Sequence, residues 1–193
     1  MSTVKEQIVE VISKCRSAAL SEREIARKMF LLDPAFVFAD DRILGFRILN
    51  GIAEKFRISL GCVKISGSSQ IGFSAIKNRD FILGQSDLDI AIVSPNMFQR
   101  YSEIVYRNTN GYKNLTGFTN TETVERFQGN LQLGYFRPDL MPSCKEKMDW
   151  FQFFQTMTDR YSAMFKSING GIYFSELFFE GKQIDIVAKM TTG

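Results

Sequence analysis

The chain is expected to be an α+β protein: a mixed or antiparallel sheet of about four to five strands, flanked by helices and preceded by an N-terminal helical segment. Three observations predict this. Apolar residues recur at helical spacing through the first 56 residues. Short apolar runs of strand length then stand at 61–66 and 87–93. A further pair of runs, 172–179 and 183–188, is joined at Glu180-Gly181 with Lys182, which reads as a tight hairpin turn. The 193 residues suit one domain, with helices over 1–58 and the core over 59–193.

In chain order, residues 4–19 form a helix with Ile8, Ile12, Cys15 and Ala19 on one face. Ser21 and Glu24 form a capping box for a second short helix carrying Ile25, Met29 and Leu32, which Pro34 ends. A third helix starts near Asp40 or Asp41 and carries Leu44, Ile48, Ile52 and Phe56. These stripes are read as cover for a sheet rather than as a partner surface. A strand at 61–66 is followed by a short helix over 69–77, weakened by Gly72, and then by a loop at 77–80. The strand at 87–93 is stopped by Pro95, and Asn96 caps a helix bearing Met97, Tyr101, Ile104 and Val105. Residues 107–142 carry little pattern beyond a short strand near 131–136. Ser143 and Glu146 form another capping box, opening a helix to about Ser167 whose seam is Trp150, Phe154, Met157, Tyr161, Met164 and Phe165. That aromatic seam is read as core rather than as a base-stacking platform. Asn169-Gly170-Gly171 breaks the chain before the final hairpin.

Composition removes several chemistries. Histidine is absent, which excludes Ser-His-Asp and Cys-His triads and His-ligated metals. Cys15, Cys62 and Cys144 are far apart and odd in number, which fits reduced thiols and a cytoplasmic setting and lacks zinc spacing. The absence of a run of 18 apolar residues predicts no membrane span, and the polar start of the chain is unlike a signal peptide. A net charge of +3 permits a polyanionic partner without arguing for one.

The chemistry therefore falls to carboxylates, lysine, hydroxyls or an oxygen-bound metal. Val63-Lys64-Ile65-Ser66 reads as a strand that stops at Gly67-Ser68. Backbone N–H groups at such a turn, leading into a helix, suit phosphate oxygens. Ser86-Asp87-Leu88-Asp89-Ile90 then puts two carboxylates one residue apart on a strand, so both point to one side. Side by side they repel unless a cation sits between them, and Mg²⁺ prefers one or two carboxylates plus substrate phosphates. Asp185 lies between apolar neighbours in Gln183-Ile184-Asp185-Ile186-Val187. An unpaired buried Asp is costly, so it is expected at a polar cleft, at a metal or on a solvated sheet face.

In this order the three pieces resemble the nucleotidyltransferase superfamily of DNA polymerase β type, as a minimal, bacterial-like member. Its pattern is an apolar strand ending in Gly-Ser, then Asp-x-Asp on the next strand, then a third Asp on a later strand. The resemblance covers about 61–94 and 183–188, and the rest agrees in element order alone. It implies a metal-dependent transfer of an NMP from an NTP such as ATP to a hydroxyl acceptor: RNA, a protein, a small molecule or another nucleotide. Asp87 and Asp89 would ligate two Mg²⁺ or Mn²⁺ ions, and Asp185 would ligate the ion nearer the attacking hydroxyl and help to deprotonate it. Gly67 and Ser68 would hold the β- and γ-phosphates, with Ser69 and Ser86 beside them as nucleotide-binding candidates. Lys77 and Arg79 are candidates for the triphosphate or the acceptor, against a reading as solvated loop charges. The alternative is a non-catalytic module that keeps the fold and binds nucleotide, nucleic acid or protein. The stretch between Ser68 and Asp87 is longer than usual for the family, and 77–86 is read as an insertion near the mouth of the site. Many members carry a helical domain after the third Asp. Here the N-terminal helices and the 143–167 helix do that work, or the chain is a truncated form, or a partner supplies it.

Overall fold

The computed structural model describes residues 2–191; Met1, Thr192 and Gly193 at the expected domain ends lie outside the described residues. The chain opens with α1 (Val4–Ser17), whose Thr3 and Glu6 form a reciprocal capping box, and with α2 (Glu22–Arg27), capped as expected by Ser21 and Glu24. A wider, π-helical turn over Lys28–Leu32 follows, burying Met29 and Phe30 and leaving Leu32 exposed. Asp41 accepts from Leu44 N and caps α3 (Arg42–Phe56), in which Ile48 and Ile52 are fully buried.

The sheet is assembled from distant pieces. β1 (Val63–Ser66) leads into α4 (Gly67–Ile71), then a small hairpin of β2 (Phe73–Ser74) and β3 (Arg79–Asp80). β4 (Leu88–Val93) is followed by α5 (Pro95–Asn108), α6 (Thr121–Gln132), β5 (Tyr135–Phe136), α7 (Lys145–Arg160), β6 (Ile168–Tyr173) and α8 (Glu176–Thr191). The main sheet has the order β1-β4-β6-β5; β1 and β5 run antiparallel to their neighbours and β4 runs parallel to β6. The fold is therefore α+β, with a four-stranded mixed sheet and an N-terminal helical segment.

Side-chain alternation divides the interior in two. Ile65, Leu88, Ile90, Ile92 and Ile172 face a large core built with α3, α5, α6 and α7, where Trp150 and Phe154 are buried as the sequence suggests. Ala91 and Tyr173 face a second core with Ile8 and Ile12 of α1, Ile25 of α2, and Phe179, Val187 and Met190 of α8. The N-terminal helices thus share a core with the sheet. Asp87 and Asp89 fall on the face of Ala91, just past the edge of that second core.

The final segment differs most from expectation. In place of a hairpin at 172–179 and 183–188, residues 176–191 form one helix, α8. A strand would put Asp185 and Gln183 on the face of Phe179 and Val187. A helix instead groups Phe179, Gln183, Val187 and Met190 as buried residues and turns Asp185 and Lys189 to solvent. Burial of each large apolar side chain contributes about 1.5–3 kcal/mol. The β preference of Ile and Val spans only about 1 kcal/mol. Glu180, buried, accepts from Arg23 Nε at 2.6 Å and Arg27 Nε at 2.5 Å and so ties α8 to α2.

Smaller corrections have local causes. α1 ends at Ser17, and Ala19 is left-handed. Gly72, with φ of +85°, ends α4 at Ile71 rather than near Lys77. Ser94, not Asn96, caps α5, with Pro95 in its first turn. Ser143 donates its N–H to Gly117 O, Cys144 takes the N-cap position of α7, and the Ser143–Glu146 box does not form. α7 ends at Arg160, and Tyr161, Met164 and Phe165 pack from the turn beyond it. Leu131 lies in α6 rather than in a strand, and β5 keeps only two residues. Asn169-Gly170-Gly171 lies inside β6. A Cβ on Gly170 would stand 2.5 Å from the Phe154 ring, and one on Gly171 would overlap Tyr135. These glycines therefore admit aromatic rings onto a strand. Cys15, Cys62 and Cys144 are free thiols, and no described helix is long and apolar enough to cross a membrane.

Candidate functional site

β1 and β4 deliver the two halves of the predicted motif to one place. Antiparallel pairing sets Ser66 opposite Asp89. Gly67 follows with φ of +63°, a left-handed backbone that turns the chain sharply into α4. A Cβ there would lie 2.6 Å from Asp89 Oδ2, so glycine is required both by conformation and by the closeness of the carboxylate. Ser69 Oγ donates to Ser66 O at 2.8 Å and accepts from Asp89 N at 3.4 Å. Ser69 is fully buried and lines neither of the two clefts at the aspartate pair, so its hydroxyl fixes the turn to β4 instead of facing a ligand there.

Asp87 precedes β4 by one residue and shares a side with Asp89. Its Oδ1 accepts from Ser167 Oγ at 2.8 Å, and Ser167 Oγ in turn accepts from Asn169 Nδ2 at 2.6 Å. Its Oδ2 is 3.8 Å from Lys77 Nζ on the β2–β3 turn. Both partners of that pair keep solvent contact, so it contributes little to stability. The Asp89 carboxyl is pushed up to about 6, first by burial and then by the charge of Asp87; Lys182 and Lys77 offset part of this.

Two adjoining clefts meet at this pair. The smaller, about 160 Å³, is lined by Gly67, Ser68, Lys77, Arg79, Ser86, Asp87 and Asp89, all of them predicted site residues, together with Ser74, Ile76 and Asp80. Ser86 Oγ also accepts from Ile82 N, which shapes the approach to Asp87. The larger cleft, about 670 Å³, shares Gly67, Ile76, Lys77 and Asp89 with it and extends over Tyr135, Arg137, Phe151, Asn169, Tyr173 and Lys182.

Asp185 is not brought to the pair. It is exposed on α8 and lines neither cleft. Among the described residues no group of three His, Cys, Asp or Glu side chains is placed to hold a metal. Asp87 and Asp89 fit a hard divalent cation that draws its remaining ligands from phosphate oxygens and water. The Asp89 carboxyl is raised first by burial and then by the charge of Asp87, and a cation between the two acids would relieve the second of these. The donor set for two ions is short of the third carboxylate.

The residues missed from the sequence are Ser167, Asn169, Tyr135, Arg137 and Lys182. Lys182 leans over the Tyr135 ring, its Nζ 4.1 Å from the centroid, and Tyr135 stacks on Tyr173 at 4.5 Å. Burial among these groups lowers the Lys182 ammonium, while Asp89 pulls it back up. Burial pushes the Tyr135 hydroxyl up to about 12. The paired glycines 170 and 171, beside apolar Ile172, were the available signal for a strand approached closely by rings. Comparisons with protein families, with curated proteins and with solved structures give no match to this chain.

Proposed function

We propose that the chain is a divalent-metal-dependent nucleotidyltransferase, of the DNA polymerase β type its motifs resemble, which moves an NMP from an NTP to a hydroxyl acceptor. The observation that carries this reading is the convergence of Gly67-Ser68 with Asp87 and Asp89 in one cleft that also holds Lys77, Arg79 and Ser86. In that cleft Asp87 and Asp89 would hold Mg²⁺ or Mn²⁺ together with the NTP phosphates. When bound, the metal neutralises phosphate charge and favours the ionised form of an attacking hydroxyl. Ser68, Lys77 and Arg79 give the triphosphate a hydroxyl and two cations, and Ser167 and Asn169 orient Asp87.

A second reading is favoured by the exposed position of Asp185: a nucleotide-binding module that no longer transfers. One experiment separates the two. Labelled NTPs with Mg²⁺ or Mn²⁺ are offered to RNA, protein and nucleotide acceptors. Incorporation that is lost in Asp87→Ala and Asp89→Ala supports transfer. Metal-dependent NTP binding without incorporation supports the module, and no metal-dependent NTP binding rejects both.

A further inference from the structure

We propose that the larger cleft is the acceptor site, and that it takes a nucleotide sugar hydroxyl, on a free nucleotide or at the 3′ end of a single strand, rather than a protein side chain. This rests on the nucleotidyl-transfer reading. With the triphosphate in the smaller cleft, its reacting phosphorus lies at the wall of Gly67, Lys77 and Asp89 that both clefts share. In-line displacement brings the nucleophile in opposite the leaving group. Pyrophosphate leaves on the side of the smaller cleft, so the hydroxyl enters from the larger. A bond forms from its oxygen to the α-phosphorus, the bond from that phosphorus to the pyrophosphate oxygen breaks, and the hydroxyl proton passes to water in the open cleft.

The chemistry of the larger cleft selects the acceptor class. Phe151 is 47% exposed and lines its wall, an aromatic side chain on which a base could stack. Arg137 is already engaged by Asp139 at 2.6 Å. Lys182 makes no ion pair among the described residues and stands over Tyr135, a cation beside an aromatic face as a phosphate and a base require. Gln183 adds a third demand. It is 1% exposed, its Nε2 donates to Phe179 O at 3.3 Å, and its Oε1 has no partner. Its Oε1 is left to accept, and a base amine or a sugar hydroxyl supplies the missing donor. A serine or threonine side chain offers neither ring nor phosphate to these groups.

The test is fluorescence anisotropy of a 5′-labelled hexa-adenylate, competed by unlabelled hexa-adenylate and by AMP, on wild type, Lys182→Gln and Phe151→Ala, with Mg·ATP affinity measured in parallel. Phe151→Ala is expected to weaken strand binding about tenfold. Lys182→Gln is expected to weaken it and to reduce its salt dependence by about 0.7 in log–log slope. Phe151→Ala should leave Mg·ATP affinity unchanged, whereas Lys182→Gln, which removes a charge that favours ionised Asp89, should weaken it less than it weakens strand binding. Competition by AMP as effective as by the strand assigns a free nucleotide; competition by the strand alone assigns a 3′ end. Strand and AMP binding indifferent to both substitutions overturns the proposal while the nucleotidyl-transfer reading stands on Mg·ATP binding. Transfer of label to protein but not to nucleotide acceptors also overturns it. Failure of wild type to bind Mg·ATP overturns the transfer reading, and the acceptor role with it.

Discussion

Gly67 and Asp89 touch: the carboxylate Oδ2 occupies the space next to Cα of residue 67, 2.6 Å from where a Cβ would be. One residue thus sets both the turn and the placement of the acid. Gly67→Ala is expected to cost about 1–2 kcal/mol from the left-handed backbone alone. It should also push the Asp89 carboxylate out of line with Asp87. Urea unfolding and Mg·ATP titration should both show the loss, with binding affected more than stability.

The raised Asp89 carboxyl gives a pH dependence with a definite sign. Its folded value, about 6, lies above the ordinary 3.8 because of burial and then Asp87. Between these values the folded chain holds a proton that the unfolded chain has released. The contribution is full below about pH 4 and is lost as pH rises through about 6, a change on the order of 3 kcal/mol. Thermal unfolding from pH 4 to 8 should show this slope in wild type and a flatter curve in Asp89→Asn. Added Mg²⁺ should raise the midpoint of wild type at pH 7.5 and leave that of the variant unchanged.

The three aspartates are predicted to differ. On the proposed nucleotidyl-transfer reading, Asp87→Asn and Asp89→Asn should each lower transfer by about 10²–10³-fold, as expected for groups that would hold transition-state charge. Chelation of the metal should do the same. Asp185→Asn, exposed on α8, should change stability by less than about 0.5 kcal/mol and leave transfer intact. A steady-state assay with unfolding curves on all three checks this; inactivity of Asp185→Asn alone would mean that α8 rearranges during the proposed transfer.

Glu180 is the buried end of a clamp on α2. Burial alone would push its carboxyl up, but hydrogen bonds from Arg27 and Arg23 outweigh this and hold it low. Glu180→Leu keeps much of the volume and removes the charge, whereas Arg23→Ala with Arg27→Ala strands the carboxylate. The double arginine variant should be the less stable, because a sheltered carboxylate without its partners costs more than an absent one. Chemical denaturation of both variants checks the order.

Motifs in which local sequence decides geometry were legible. The capping box at Ser21, the turn at Gly67 and the one-residue spacing of Asp87 and Asp89 each act within a few residues. The larger cleft was not legible, because Tyr135, Phe151, Asn169 and Lys182 come from four elements joined only by tertiary packing. The two glycines of β6 looked like a break because nothing local tells of the rings that cover them. α8 was misread because Ile184-Asp185-Ile186 alternates over three residues, while its helical stripe needs Phe179 through Met190 and the arginines of α2 to become visible.

Gly181 offers a direct test of α8. In a tight hairpin between Phe179 and Gln183, glycine is favoured because the central turn positions require positive φ, and alanine would be strained. In α8 it lies in a helix interior, does not have positive φ, and a Cβ there meets nothing within 4 Å. Gly181→Ala is therefore expected to stabilise the fold by about 0.5–1 kcal/mol, through helix propensity and a less flexible unfolded chain. Gly181→Pro should be destabilising by about 3 kcal/mol or more, since it removes an intrahelical N–H and clashes with the preceding turn. Denaturant midpoints at fixed slope measure both. Alanine at 181 lowering the midpoint would contradict the helix and return Asp185 to a strand.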